Sequence, residues 1–317
     1  MELINKKIFI TGGAGFIGSN LVNRLIKNNK ITIYDNLSSG KKEFLSKHLK
    51  NANLKLVMAD ALNFQKMKQV MEDHDVVFHL ASNPNIAKAV LQPELDLKQG
   101  ILTTFNVLEA MRLTGVKKLF YPSGSGVYGD QGVKYTAESF GPLLPVSMYG
   151  ASKLSAEGLI SAFCHLYGLK AWIFRPANIV GPNQTHGVGY DFINKLKKNP
   201  TELVILGDGR QSKSYIHVSD FISAIFRALE KTDERINLFN IASNGFTDVK
   251  TIAKIVVDEM ELKNVKLKYT GGSIGWKGDI PKVRLDTKKI REIGWKPLLI
   301  SDRAVRRSVK ELLKKPC

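Results

Sequence analysis

Only two cysteines occur in 317 residues, Cys164 and Cys317. One falls in a helical pattern and the other ends the chain, so the sequence holds no disulfide framework and no cysteine-based metal site. No apolar run reaches the ~18 residues that a membrane span needs, so no membrane partner is expected. The first strand pattern begins by Lys6, which leaves no room for a secretory leader. With few cysteines and no leader the cytoplasm is the expected compartment, and Asn183-Gln184-Thr185 reads as an incidental glycosylation sequon. Acid is also scarce: 29 Asp and Glu stand against 47 Lys and Arg, a formal charge of +18. Such an excess attracts anions. Its clusters are dispersed, at Lys195, Lys197 and Lys198, at Lys288, Lys289 and Arg291, and at Arg303, Arg306, Arg307 and Lys310. No RNA-binding or helix-turn-helix signature accompanies them, so the reading is a solvated basic surface with no nucleic-acid partner.

What the chain does carry begins with Thr11-Gly12-Gly13-Ala14-Gly15-Phe16-Ile17-Gly18. The apolar run Ile8-Phe9-Ile10 precedes it, and an amphipathic run with Leu21, Val22, Leu25 and Ile26 follows. A glycine-rich turn between strand and helix brings backbone N–H groups and a helix N-terminus close to a pyrophosphate. A second strand, Ile31 to Tyr34, ends in Asp35, about 20 residues after the glycines, where a ribose-binding acid belongs. A carboxylate there accepts ribose hydroxyls and repels a 2′-phosphate, which favours NAD over NADP.

Further strands are expected at 54–58, 76–80, 118–122 and 171–174, with helices at 64–71, 95–113 and 148–167. Alternation of this kind implies an α/β fold, a Rossmann-type doubly wound parallel sheet. Around Arg175-Pro176 the rhythm breaks into Gly181-Pro182, Gly187-Val188-Gly189 and Gly207-Asp208-Gly209. Residues 1–175 are therefore assigned to dinucleotide binding and 176–317 to a smaller substrate-binding part. The pattern strand 214–218, helix 219–229, strand 236–241 suggests that about 214–242 rejoins the sheet. Helices at 247–261 and 301–314 finish the chain.

Two segments carry chemistry. Tyr149-Gly150-Ala151-Ser152-Lys153 follows Ser147 at a helix start, and residues four apart share a helix face. A phenol titrates near 10, too high for a base at neutral pH. A neighbouring ammonium and a positive nicotinamide ring both favour the phenolate. The other segment, Tyr121-Pro122-Ser123-Gly124-Ser125-Gly126-Val127-Tyr128-Gly129, follows a strand and falls at its carboxyl end, where open α/β sheets bind ligands. A hydroxyl from Ser123 or Ser125 can relay a proton between substrate and Tyr149.

Together these segments resemble the extended short-chain dehydrogenase/reductase family, and within it the UDP-glucose 4-epimerase-like nucleotide-sugar enzymes. The likeness spans nearly the whole chain. It takes in the glycine motif, Asp35-Asn36-Leu37-Ser38-Ser39-Gly40, Asp60, His79-Leu80-Ala81, Val127-Tyr128-Gly129, and Tyr149 with Lys153. It continues through Arg175-Pro176-Ala177-Asn178, Gly207-Asp208-Gly209, Tyr215 to Asp220, Gly275 to Asp279, and Gly294-Trp295-Lys296-Pro297.

The resemblance implies NAD contacts from Gly12, Gly15, Phe16, Ile17 and Gly18, and from Asp35, Asn36, Leu37, Ser39 and Gly40. It implies adenine contacts from Asp60, with Ala61 beside it. Leu80, Ala81 and Ser82 fall on the pyrophosphate and ribose side. Tyr149 and Lys153 take the nicotinamide ribose, and Pro176 completes the set. Ser123, Ser125, Asn178, Lys213 and Asp279 are the implied substrate contacts, Asn178 and Lys213 toward the diphosphate. No metal is implied. The implied reaction is C4 epimerisation of UDP-glucose and UDP-galactose through a transient 4-keto sugar, with Tyr149 as base.

Relatives also dimerise through two helices, here about 95–113 and 148–167, whose apolar residues include Leu102, Phe105, Leu108, Met111, Leu154, Leu159, Phe163 and Leu166. A homodimer is therefore expected.

The chain departs from its relatives at several points. Gly124 stands where they usually carry Ser or Thr. Ser123 keeps a strand-end place shared with relatives, and Ser125 lies one residue past the usual hydroxyl. Gln99-Gly100 replaces an Asn-Asn pair, and Lys213 replaces an arginine, losing bidentate phosphate recognition. Residues 273–277 lack a phosphate-clamping arginine. Ser125 and Gly126 occupy the places of the Asp-Glu pair that a 4,6-dehydratase uses, and a decarboxylase usually keeps that Glu. The alternatives are another nucleotide-sugar enzyme of the family, whether a different epimerase, a dehydratase or a decarboxylase, and a non-catalytic NAD-binding protein.

Overall fold

The computed structural model describes residues 3–314, so Cys317 lies outside the described residues. The first half runs β1 (Lys7–Thr11), α1 (Phe16–Leu25), β2 (Lys30–Asp35), β3 (Leu54–Met58), α2 (Phe64–Met71) and β4 (Val76–His79). It continues with α3 (Glu94–Asp96), a π-helical turn (Leu97–Leu102), α4 (Thr103–Thr114), β5 (Lys118–Pro122), α5 (Met148–Tyr167) and β6 (Lys170–Pro176). Then come β7 (Asn178–Val180), α6 (Val188–Lys198), β8 (Glu202–Ile205), β9 (Ser212–Lys213), β10 (Tyr215–His217), α7 (Val218–Lys231) and β11 (Ile236–Ile241). The last elements are β12 (Thr247–Asp248), α8 (Val249–Glu259), β13 (Lys266–Tyr269), α9 (Lys288–Glu292) and α10 (Ser301–Leu313).

Seven strands form one parallel sheet in the order β11-β6-β5-β4-β1-β2-β3. The runs Ile8–Ile10 and Val76–Phe78 are apolar on both faces because helices cover both. Strand order reverses between β1 and β4, and the crevice at that switch point is where such sheets bind ligands. A row of aromatic rings crosses the sheet. Phe78 stacks on Phe120 at 4.4 Å, Phe120 on Trp172 at 5.2 Å, and Phe174 on Phe239 at 6.3 Å. Each pair contributes about 0.5–1.5 kcal/mol beyond burial and stiffens the strands that deliver the site.

The return to the sheet occurs as β11, which pairs with β6 in parallel. β10 does not join it and pairs with β7 instead. The β8–β13 ladder, between segments some 60 residues apart, has no counterpart in the sequence reading. It packs with α6, α8 and α10 around a second apolar centre holding Phe192, Leu203, Ile252 and Val305. Among the described residues, no helix is long and apolar enough to cross a membrane, and no cluster of three metal-ligating side chains occurs.

The helix expected over 95–113 is present as a continuous helical run from Glu94 to Thr114, with the π turn inside it. Within that turn a Cβ on Gly100 would stand 2.7 Å from Ser152 Cβ and Oγ, so the chain presses against α5 only as glycine. The Thr103 N–H then reaches back to Lys98 O, five residues away, before α4 begins. A buried bidentate pair fixes α5 against β6, with Arg175 Nη2 and Nε donating to Glu157 at 2.6 and 3.0 Å. Arg175 Nη1 also donates to Tyr128 Oη, which donates to Asn240 Oδ1 at 2.7 Å. The loop after β5 is thus tied to both β6 and β11.

Candidate active site

One cavity of about 610 Å³ opens at the carboxyl ends of β1, β2, β4, β5 and β6. Its floor is the glycine turn. Gly12 has φ +67°, and a Cβ there would lie 2.7 Å from the Ala81 nitrogen. A Cβ on Gly18 would lie 2.5 Å from Gly12 O. Side chains are excluded, so the backbone itself faces the cavity at the N-terminus of α1. Asp35 is buried at the end of β2, where Ala14 N donates to Oδ2 at 2.9 Å and Leu37 N donates to Oδ1 at 2.8 Å. Burial raises its pKa, and the two backbone donors oppose that shift. Asp60 accepts from Asn36 Nδ2 at 2.9 Å and from Leu62 N at 2.8 Å. Below, Thr11 Oγ1 accepts from Leu80 N and Ala81 N, and bonds His79 Nδ1 at 2.7 Å. His79 Nε2 meets Thr104 Oγ1 at 3.0 Å, and burial pulls this imidazole down to about 3, so it works as a neutral strut. A side-chain-free cradle, a pinned acid at the ribose position and a second acid beyond it fit a dinucleotide such as NAD.

The second wall comes from α5 and the loop after β5. Ser147 caps α5 by accepting from Gly150 N at 3.1 Å, and Tyr149 and Lys153 share the face turned to the cavity. Lys153 is buried. Its Nζ donates to Pro122 O at 2.9 Å and lies 4.7 Å from the Tyr121 ring centre and 5.5 Å from that of Tyr149. Burial lowers its pKa to about 8, against the pull of Asp96 and Glu157. Tyr149 departs from the sequence expectation of a lowered pKa. Burial, seconded by the Asp96 charge, pushes its phenol up to about 12. Loss of hydration is the larger of these two causes.

Position 124 is open space. A Cβ there would meet only Tyr149 Cε1, at 3.9 Å. Ser123 is buried with its hydroxyl unpartnered and closed to solvent, whereas Ser125 is partly exposed in the wall. On the far side, Lys213 Nζ donates to Asp279 Oδ1 at 2.7 Å, and Gly275 N approaches the other oxygen at 3.3 Å. Asn178 lines the cavity and is hydrogen-bonded to Tyr215.

Nearly all the site residues expected from sequence meet at this cavity. Two do not. Leu37 packs, half-buried, against the apolar core, and Gly40 is pressed beneath Ala14, where a Cβ would lie 2.9 Å from the Ala14 carbonyl carbon. Many lining residues had no role assigned from sequence, Asn83, Gln211 and Trp276 among them. Asn83 lines the cavity. Gln211 lines it too and has a buried Oε1 without a partner. Trp276 stands in the stretch that lacks arginine. Of these three only Trp276 had a signal, as an aromatic in a glycine-rich loop.

The profile described as the NAD dependent epimerase/dehydratase family matches residues 8–242. A protein named as a putative UDP-glucose 4-epimerase from Methanocaldococcus jannaschii is 33% identical over 312 residues, covering 95% of this chain and 97% of its own. The structure of UDP-glucose 4-epimerase with UDP-glucose from Thermotoga maritima superposes with a TM-score of 0.86 at 32% identity, covering 96% of this chain and 98% of that one. The Thermus thermophilus UDP-glucose 4-epimerase complex with NAD gives 0.85 at 27% identity, covering 97% and 99%. Proteins named as UDP-glucuronic acid decarboxylase and dTDP-glucose 4,6-dehydratase match as well.

Proposed function

The chain belongs to the NAD dependent epimerase/dehydratase family, and on that footing we propose that it interconverts C4 epimers of a nucleotide sugar, UDP-glucose and UDP-galactose first among them. NAD, when bound, supplies hydride acceptance and return, and a positive ring that favours a nearby anion. Tyr149 Oη takes the proton of the sugar 4-hydroxyl and later gives it back. Lys153, charged and fixed on Pro122 O, favours the phenolate and orients the ribose beside it. Ser125, partly exposed, is the hydroxyl that a sugar reaches without rearrangement. Ser123 has the strand-end place but a closed-off hydroxyl, so burial ranks the two in the opposite order to strand position. Asn178 and the Lys213–Asp279 pair form the nucleotide side. In this reading residues 1–175, with 214–242, serve the cofactor, and the remainder serves the sugar nucleotide.

One observation carries the choice of reaction. Residues 123–126 beside Tyr149 are Ser, Gly, Ser and Gly, and they offer no carboxyl to eliminate water or assist loss of carbon dioxide. Incubation with UDP-glucose should yield UDP-galactose of unchanged mass, resolved by chromatography coupled to mass spectrometry. A product lighter by one water, or no conversion of any nucleotide hexose, would overturn the assignment.

The same reading includes a homodimer through the outer faces of α4 and α5. Leu108 and Met111 are fully buried in the core, Phe163 is nearly so, and Leu154 and Leu159 are half-buried against it, which leaves Leu102, Phe105 and Leu166 on the outside. Those three are at least 44% exposed, an apolar cost that a second copy would remove. Light scattering at micromolar concentration should give twice the chain mass, and Phe105→Glu should halve it. A monomeric mass for the unmutated chain would sink the idea.

A further inference from the structure

The geometry points to Asp96 as a positioning residue of this site, the buried counter-charge against which Tyr149 and Lys153 work; the inference rests on the roles given to that pair above. Asp96 ends α3, which packs on α5 just before the π-helical turn. Its side chain is 1% exposed and does not line the cavity. Asn83 Nδ2 donates to Oδ1 at 3.0 Å, and Oδ2 has no partner. A buried carboxyl oxygen left without a donor is costly unless a nearby positive charge offsets it.

Lys153 is the cation whose charge reaches the Asp96 carboxyl, and burial raises that carboxyl's own pKa against the pull of Asn83 and Lys153. Tyr149 and Glu157 flank Lys153 on α5, and Arg175 holds Glu157 through two hydrogen bonds. From β4 comes His79, neutral in its buried place, and from β5 Tyr121, whose phenol burial holds well above its usual value. Lys88, Glu94 and Lys98 are exposed. Lys153 has no carboxylate within ion-pair distance among the described residues. The negative charges that it feels are those of Asp96, the stronger influence, and of Glu157, which Arg175 already pairs. The Asp96 charge favours the ammonium of Lys153 and disfavours the phenolate of Tyr149. Burial is the larger cause at both groups: Asp96 adds to it at Tyr149 and opposes it at Lys153.

The signs give a test. Asp96→Asn removes the carboxylate with little change in shape. The Tyr149 phenolate becomes easier to form, and the Lys153 ammonium harder to keep. Activity that needs phenolate and ammonium together then moves to lower pH on both limbs. The direct readout is the pH titration of phenolate absorbance in the NAD-loaded protein, with the Tyr149→Phe titration subtracted to remove the other tyrosines. The midpoint should fall by about one pH unit in Asp96→Asn. Asn83→Ala, which takes away the donor that favours the ionised carboxyl, should move it the same way by less, and it decides the matter if Asp96→Asn does not fold. An unchanged midpoint with a lowered rate would mean that Asp96 only holds structure, and would overturn the proposal. The titration uses no sugar. Absence of turnover in the unmutated enzyme would defeat the functional reading while leaving the Asp96 result to stand or fall alone.

Discussion

Tyr149→Phe should lower the rate of nucleotide-sugar turnover by about 10²–10⁴-fold while NAD still binds. The ring stays, so the packing of α5 against the loop after β5 stays with it. Only the oxygen that carries the proton is lost. At about 1.4 kcal/mol per decade, the loss corresponds to about 3–5 kcal/mol of transition-state stabilisation. Ser125→Ala and Ser123→Ala then separate the two hydroxyls. The larger loss should fall on Ser125, the less buried of the two. A wild-type rate in Tyr149→Phe would show the proposed mechanism to be wrong, whatever the fold.

Gly12→Ala should abolish NAD binding and destabilise the fold. At φ +67° an L-residue is strained by about 1–2 kcal/mol. The new methyl would also press on backbone, with Ala81 N at 2.7 Å and Leu80 C at 2.9 Å. Overpacking of that kind costs about 1–3 kcal/mol more, because the strand end cannot give way as a side-chain tip can. Gly115→Ala provides the comparison. Gly115 has φ +78° with nothing within 4 Å of a Cβ, so it isolates the strain alone. Urea unfolding with and without NAD measures both terms. If NAD raises the midpoint of Gly12→Ala as much as that of the unmutated chain, the glycine turn is not its cradle.

The cofactor side of the site was legible because its signals are local. Glycines between a strand and a helix, and an acid at the end of the next strand, fall at fixed spacings that a linear reading can count. Tyr149 and Lys153 were legible for the same reason, four residues apart on one helix. The electrostatics were not. Tyr149 was expected to be pulled down by Lys153, but burial and Asp96 push it up, and neither depends on spacing. Asp96 itself sits in a stretch with Glu94 and Lys98, where an acid looks like part of a solvated face. The β8–β13 ladder escaped because Glu202–Ile205 and Lys266–Tyr269 are short and pair only through the fold. Leu37 and Gly40 were carried along with the Asp35 segment, although the chain turns inward at Leu37 with φ +58°.

The π-helical turn at Leu97–Leu102 also sets an angle. Such a turn holds one residue more than an α-helix would use over the same length. Each residue rotates a helix by about 100°. Everything after Leu102 is therefore wheeled by about a quarter-circle relative to a helix without that turn. That rotation seats Val107, Leu108 and Met111 against the sheet and leaves Phe105 facing outward. A one-residue deletion between Leu97 and Leu102 would restore a regular helix and swing Phe105 to a different heading. The outward face of α4 thus depends on the register of a turn that touches Ser152 of α5. A change made there to suit one of the two surfaces would be transmitted to the other.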